Sequence, residues 1–382
     1  MSNTVSIRKC DDYDKDSVFA VVQECLNDIG GLEKFIRPGM RVLIKPNLLM
    51  RRTPEEVTTT HPSVVEAVVR LVMNCSATAV IADSPGGPFN PNWLQGIYKT
   101  TGMSKIADDT DCTLSFDVSK QQITNTNGLK IKELEIINEA ALADVIISVA
   151  KLKTHGMLRF TGAVKNMFGI VPGTIKAEYH YRMPNLADFS NALIDIYLAG
   201  KPEIAVMDAI DAMEGDGPSG GTKRHCGLLL ASNDSFALDY SASTIIGLPP
   251  ADNPLLSQAI QRGLCPDNLA EIEFPALSPA DITLEQFTIP ESGGVELMSG
   301  KLPEVVQKFI SRHMQPYPVF TNLCKECGLC AKACPPQIIT MHAGYPQADL
   351  RRCIHCYCCQ ELCPHKAITI KRPILARMLE HL

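Results

Sequence analysis

The sequence predicts an α/β protein: a large, mainly parallel sheet domain covered by helices, followed by a small C-terminal module rich in cysteine. Three observations carry this prediction. Short apolar runs alternate with amphipathic stretches through most of the chain, the rhythm of strands and covering helices. Nine of the 15 cysteines fall between Cys324 and Cys363. The 382 residues leave room for two or three domains of roughly 100–200 residues each.

Taken in order, RVLIKPNLL (41–49) reads as a buried strand. In HPSVVEAVVRLVMNC (61–75), Val64, Val68 and Val72 recur at i, i+4 and i+8, one face of a helix. ATAVIADSPGG (77–87) is a strand ending in a Gly/Pro turn, and DVIISVAKLK (144–153), EIAVMDAID (203–211) and CGLLLAS (226–232) are further strands. NLADFSNALIDIYLAG (185–200) and SFALDYSASTIIG (235–247) read as helices closing on glycine. These elements make residues 1–265 one domain. Prolines recur through 266–319, a connecting region with one expected helix at 305–314; the cysteine module spans 320–371, and 372–382 forms a terminal helix. No internal repeat or low-complexity segment interrupts the first domain.

Composition excludes several classes. With 45% hydrophobic and 20% charged residues the chain can bury a core, which rules out wholesale disorder. The 36 basic and 42 acidic residues give a net charge of -6, against a nucleic-acid surface spread over the whole chain. No apolar run approaches the ~18–20 residues of a membrane span. The start MSNTVSIRKC lacks a secretory pattern, so the cytoplasm is the expected location.

The cysteines carry the most specific signal. CKECGLCAKACP (324–335) and CIHCYCCQELCP (353–364) are each C-x2-C-x2-C-x3-C-P. A thiolate at every third position lets a curled loop aim three sulfurs at one iron–sulfur cube, and the fourth cysteine ligates the other cube. The expected sets are Cys324, Cys327, Cys330 and Cys363 for one 4Fe-4S cluster, and Cys353, Cys356, Cys359 and Cys334 for the second. Paired zinc sites fit less well, because zinc uses four tetrahedral ligands, usually on paired C-x2-C knuckles. Cys358 is an idle thiol or, after a register shift, an alternative ligand. The stretch resembles the bacterial dicluster ferredoxins over about 50 residues. With every iron held by protein sulfur, such a module performs one-electron transfer.

Polar clusters follow the strands, where open α/β sheets bind ligands. They are Lys45-Pro46-Asn47, His61, Asp83 in DSPGG, then Lys151, Lys153 and His155, then Lys165-Asn166, and Asp208, Asp211 and Glu214 in DAIDAMEGDGPSGG. Each residue also has a plain structural role open to it: strand end, cap neighbour or turn. Together they suggest a site in which Lys45, Lys153 and Lys165 hold an anion, with Asn47, Asp83 and Asn166 beside it. His61 or His155 would move a proton, and Asp208 and Glu214 would orient these groups or bind a metal. Gly215 to Gly220 matches G-x-G-x-x-G, yet it neither follows a strand directly nor opens a helix, so it is not a dinucleotide fingerprint. It remains an anion-facing loop or a flexible turn.

KPNLL, THP, ADSPGG, KLKTHGMLRFTGAVKNMFG and DAIDAMEGDGPSGG, ahead of a dicluster ferredoxin, resemble the family described as domain of unknown function 362, over nearly the full chain. That resemblance implies an iron–sulfur protein with an α/β domain and a small ferredoxin-like α+β domain. The expected function is a ferredoxin-linked reductase. A low-potential donor (ferredoxin, flavodoxin or a reductase) would feed two 4Fe-4S clusters, and a small anionic substrate, or a flavin or metal, would receive the electrons. No flavin motif is evident. The alternatives are a non-enzymatic carrier or adaptor docking a redox enzyme, and a non-redox catalyst whose clusters sense redox state.

Overall fold

The computed structural model describes residues 3–371 except 184, 283, 285 and 291–314, together with 373. The helix expected at 305–314 lies outside the described residues, as does all but Pro373 of the one expected at 372–382.

The chain opens with β1 (Asn3–Lys9) and α1 (Lys15–Asp28), then forms a crossover from β2 (Arg41–Pro46) through α2 (Pro62–Asn74) to β3 (Thr78–Ile81). Next come α3 (Pro91–Thr100), α4 (Met103–Asp109), the short β4 (Thr113–Leu114), a ribbon of β5 (Lys120–Thr124) and β6 (Glu133–Ile137), and α5 (Asn138–Leu142). The long β7 (Val145–His155) turns back through β8 (Arg159–Thr161). After α6 (Ala163–Asn166), α7 (Ile175–Arg182) and α8 (Leu186–Gly200) the chain re-enters the sheet with β9 (Ile204–Glu214) and β10 (Thr222–Ser232). It leaves through α9 (Ser235–Ile245), α10 (Pro254–Gln261) and β11 (Ile272–Glu273).

β9, β7, β2, β3 and β4 pair in parallel in that order. β10 lies antiparallel between β9 and β1, and β11 adds in parallel outside β1. Burial on both faces explains why these strands read as unbroken apolar runs. Along β7, Ile146, Ala150 and Leu152 enter one core and Val145, Ile147 and Val149 the other. The first core is closed by α8, α9 and α10, the second by α1 and α2. Asp14, Asn185, Asp234 and Asn253 cap α1, α8, α9 and α10 by accepting from backbone N–H groups of the first turn. The first part of the region read as a connection is tied to this domain, since Ile272 and Phe287 are buried in its core.

The C-terminal module consists of β12 (Tyr317–Phe320), α11 (Leu329–Ala333), β13 (Ile339–His342), β14 (Tyr345–Ala348), α12 (Cys358–Glu361) and β15 (Ile368–Lys371). β12 pairs with β15, and β13 with β14, all antiparallel. Its two halves repeat. Glu326, Gly328 and Gln337 have positive φ in the first half, and His355, Tyr357 and Lys366 have it at the matching places in the second. Among the described residues no helix is long and apolar enough to cross a membrane.

Candidate functional site

None of the 15 cysteines is joined in a disulfide. Cys324, Cys327, Cys330 and Cys363 stand around one cavity of the module, and Cys334, Cys353, Cys356 and Cys359 around a second. Each cavity thus takes three thiols from one run and one from the other. Backbone N–H groups of Glu326 and His355 donate to Cys324 and Cys353 Sγ at 3.5 and 3.4 Å, and Ala367 N–H donates to Cys363 Sγ at 3.3 Å. Sulfur donors in fours, met by N–H groups, suit iron–sulfur clusters. Among the described residues no three His, Cys, Asp or Glu side chains gather as ligands of a single ion. Cys358 is buried at the start of α12 and lines neither cavity.

The polar residues of the sheet domain separate into two groups. In the first, Lys151 Nζ pairs with Asp208 Oδ2 at 2.8 Å, both side chains being buried. Tyr13 Oη accepts from Lys151 at 3.0 Å and donates to Asp208 Oδ1 at 2.9 Å. His61 stacks on Tyr13 at 3.6 Å, and its N–H donates to Asp208 Oδ2 at 2.9 Å. Burial pushes His61 down to about 4, against the pull of Asp208. Asp211 belongs to the rim of this group, with His225 Nδ1 and Lys223 Nζ each 2.9 Å away. Glu214 joins neither group; it accepts from Thr288 N–H at 2.8 Å.

The second group is a nest of cations beneath the cysteine module. The pairing of β7 with β9 is irregular here, the two steps from Lys151 to Lys153 matching five from Asp208 to Met213. Lys153 Nζ donates to Asn47 Oδ1 and Thr58 O, both at 2.7 Å. Asn47 leads to Asn166 Oδ1 at 3.3 Å, which also accepts from Lys45 Nζ at 3.0 Å. Lys45 pairs with Asp83 Oδ1 at 2.7 Å. Gly169 lies against this pair: a Cβ there would stand 2.1 Å from Asp83 Oδ1 and 2.3 Å from Lys45 Nζ. From α7, Lys176 Nζ donates to Ser84 O at 2.6 Å, while His180 stacks on Phe189 at 4.2 Å.

His155 Nδ1 accepts from Met157 and Leu158 N–H at 3.1 and 3.2 Å, which leaves the proton of the neutral ring on Nε2. That Nε2 is 3.1 Å from Glu361 Oε1, a carboxylate delivered by α12 of the cysteine module. Burial opposes the charge on Glu361, but His155, Lys165 and His180 hold it down at about 2. Burial lowers Lys45, Lys153, Lys165 and His155, brings Lys176 to about 7 and takes His180 to about 3. Among the described residues Lys165 Nζ has no carboxylate within ion-pair distance, and it lies over the Phe168 ring at 5.9 Å.

The module is seated on this site by several contacts. Ser219 Oγ donates to Glu361 O at 2.9 Å, Gln360 Nε2 to Asp216 O at 3.3 Å, and Arg52 Nη2 to Cys363 O at 3.2 Å. Gly86 lets Leu362 approach, since a Cβ there would be 2.3 Å from its Cδ2. The glycine-rich loop serves as a brace: Gly217 O accepts from Gly156 N–H at 3.0 Å and Gly215 O from Thr154 Oγ1 at 2.8 Å. Sequence reasoning missed Lys176, His180 and Glu361. The first two stand at i and i+4 of a short polar helix, a spacing that could have marked one face. Nothing local distinguishes Glu361 from a surface residue.

A family model described as Domain of unknown function (DUF362) matches residues 42–244, just over half of the chain. The chain belongs to the DUF362 family. The family's matched region contains every nest residue except Glu361. A 4Fe-4S dicluster domain model matches residues 323–367, so this DUF362 protein is an iron–sulfur protein with a 4Fe-4S dicluster module. It is 34% identical over 292 residues to the thylakoid-associated protein sll1697 of Synechocystis sp., across 76% of this chain and 89% of the relative. Among solved structures it is similar to the lactate racemase apoprotein of Thermoanaerobacterium thermosaccharolyticum, with a TM-score of 0.42 and 13% identity over 64% of this chain and 57% of that one.

Proposed function

We propose that this DUF362 protein is a cytoplasmic reductase that draws electrons from a low-potential donor and delivers them to a small anionic substrate, or to a bound cofactor, at the lysine–histidine nest. Cys324, Cys327, Cys330 and Cys363 would hold one 4Fe-4S cluster, and Cys334, Cys353, Cys356 and Cys359 the other. Such clusters, when bound, supply one-electron transfer. The observation that carries this reading is the 3.1 Å contact between His155 and Glu361, because Glu361 lies on the same short helix as Cys359. The redox module and the cationic nest therefore share one boundary.

The roles of the side chains follow from their surroundings. Lys165, without a carboxylate partner, is the cation left to neutralise an incoming anion. Lys153 and Lys45 hold the Asn47–Asn166 bracket in place, and Asp83 balances Lys45. His155 presents its Nε2 proton toward the nest. His61 and Asp208 serve the Lys151 group and set the exit of β7, while Glu214 braces a loop. The buried walls exclude water and strengthen each charge interaction.

A carrier or adaptor function is favoured by one observation, that Glu361 already occupies the nest. Anaerobically purified protein separates the two. About eight irons and eight sulfides per chain are expected in both cases. After chemical reduction, a reductase is reoxidised on adding a small organic anion, and Lys165→Ala abolishes that reoxidation with the iron content unchanged. Reoxidation by no small anion, with intact transfer to a partner redox protein in the Lys165→Ala variant, would establish the carrier instead.

A further inference from the structure

The nest holds an anion that the chain itself supplies. Glu361 enters from the cysteine module with its side chain 11% exposed, and its Oε1 lies 3.1 Å from His155 Nε2. The seat of α12 does not depend on this carboxylate, because backbone oxygens of Glu361 and Asp216 take the bonds from Ser219 and Gln360. The side chain is thus directed into the nest over and above what holds the helix down. On the nest side, Lys153 donates to two neutral oxygens, and Asp83 is engaged by Lys45. Among the described residues Glu361 is the one carboxylate in contact with the His155 end of the nest.

The geometry points to Glu361 standing in for a substrate carboxylate: the place its Oε1 takes at His155 Nε2 is a carboxylate site, and Glu361 and a small carboxylate exclude one another from it. This rests on the nest being the substrate site and names the substrate class. The His155 and Glu361 side chains are 0% and 11% exposed, and a close-packed interior does not admit a tetrahedral four-oxygen anion in place of a carboxylate without repacking. The glycine-rich loop offers no second anion cradle here, since the N–H groups of Gly215, Gly217 and Gly220 already donate to Thr288 O, Gly215 O and Asp216 O. A substrate carboxylate would turn the Glu361 side chain out of the nest, leaving the backbone contacts to keep the module in reach.

The test is rescue of a vacated site in the anaerobic, full-length holoprotein. Glu361→Ala removes the carboxylate and opens room for sodium propionate, with sodium chloride and inorganic phosphate as controls at matched ionic strength. Propionate is expected to raise the thermal midpoint of Glu361→Ala by roughly 2–4 °C at saturation, with no comparable rise in the wild type or in Glu361→Gln, whose amide keeps the space filled. Phosphate is expected to match chloride. Should Glu361→Ala not fold, Glu361→Asp keeps the charge, draws it back by one methylene, and is expected to respond to formate where the wild type does not. Equal stabilisation of wild type and variant by propionate, an equal effect of phosphate, or no response in either variant would each overturn the inference. Substrate-driven reoxidation is read separately. Propionate rescue without reoxidation by any carboxylate keeps the site and removes the reductase, and reoxidation by a non-carboxylate anion without rescue does the reverse.

Discussion

At the residue scale the nest is a problem of buried charge. Lys45 and Asp83 are 1% and 3% exposed, so each is tolerated because the other is 2.7 Å away. Asp83→Asn leaves Lys45 uncompensated, and a loss of about 3–5 kcal/mol is expected from urea denaturation. Gly169→Ala is expected to cost about 1–3 kcal/mol in the same measurement, because its Cβ would press on both members of the pair. Lys176 gives a pH signature. Its folded value of about 7 lies below the ordinary 10.5, so the unfolded chain binds more protons between these values and stability rises with pH across that interval. Lys176→Met removes this contribution. Its stability relative to wild type is expected to be most favourable near pH 7 and to decline steadily toward pH 10, followed by the urea midpoint at each pH. A pH-independent difference would show that Lys176 titrates normally in the folded protein.

At the element scale the question is what aims α6, which carries Lys165 and Asn166. Asp239, buried on α9, accepts from Ala163 and Val164 N–H at 2.7 and 3.0 Å and so holds the first turn from outside. Asp239→Asn turns an amide N–H2 toward one of these donors, and about 1–3 kcal/mol of destabilisation is expected, read from the denaturation midpoint. The strands and helices with unbroken periodicity, such as β2, α2, β7 and α8, were legible in the sequence because central parallel strands must be apolar on both faces. β1 and β11 were not. Their pairing is made by residues more than 200 positions apart, Val5 with Ser232 and Asn3 with Ile272, and no local pattern encodes it. The polar strand ends were visible as residue types. Which of them meet was not, because Lys151 and Lys153, two positions apart, find partners far away in sequence, Asp208 and Asn47. Glu361 was invisible for a related reason: its surroundings come from residues some 200 positions away.

At the scale of the whole molecule, the module is joined to the sheet domain asymmetrically. Cys327 is exposed, whereas Cys356, Cys358 and Cys359 are buried near the helix that carries Glu361. The second cysteine run carries the helix whose Glu361 reaches the nest, and the first carries the exposed Cys327. The two halves repeat in backbone conformation, but where the first half has Gly328 at φ 69° the second has Tyr357 at φ 59°. A left-handed tyrosine is unfavourable by itself, and such outliers persist where the surrounding structure fixes them. Here the ring lies over Gly156, with Tyr357 Cδ2 3.6 Å from the place a Cβ would take, at the end of β7 just beyond His155. If the ligands are crossed as the two cavities arrange them, single substitutions separate entry from delivery. Cys334→Ser, in the first run, is expected to abolish the cluster of the second run. About four irons should remain, the donor should still reduce the protein, and substrate-dependent reoxidation should vanish. Cys363→Ser should also leave about four irons, but with the nest-side cluster intact, so that reduction by a protein donor slows while chemically reduced protein is still reoxidised. Iron counts and electron paramagnetic resonance of the two variants decide the matter. The reverse pattern, with Cys334→Ser losing the cluster of the first run and Cys363→Ser that of the second, would mean that each run ligates its own, and the crossed arrangement of the two cavities would then be overturned.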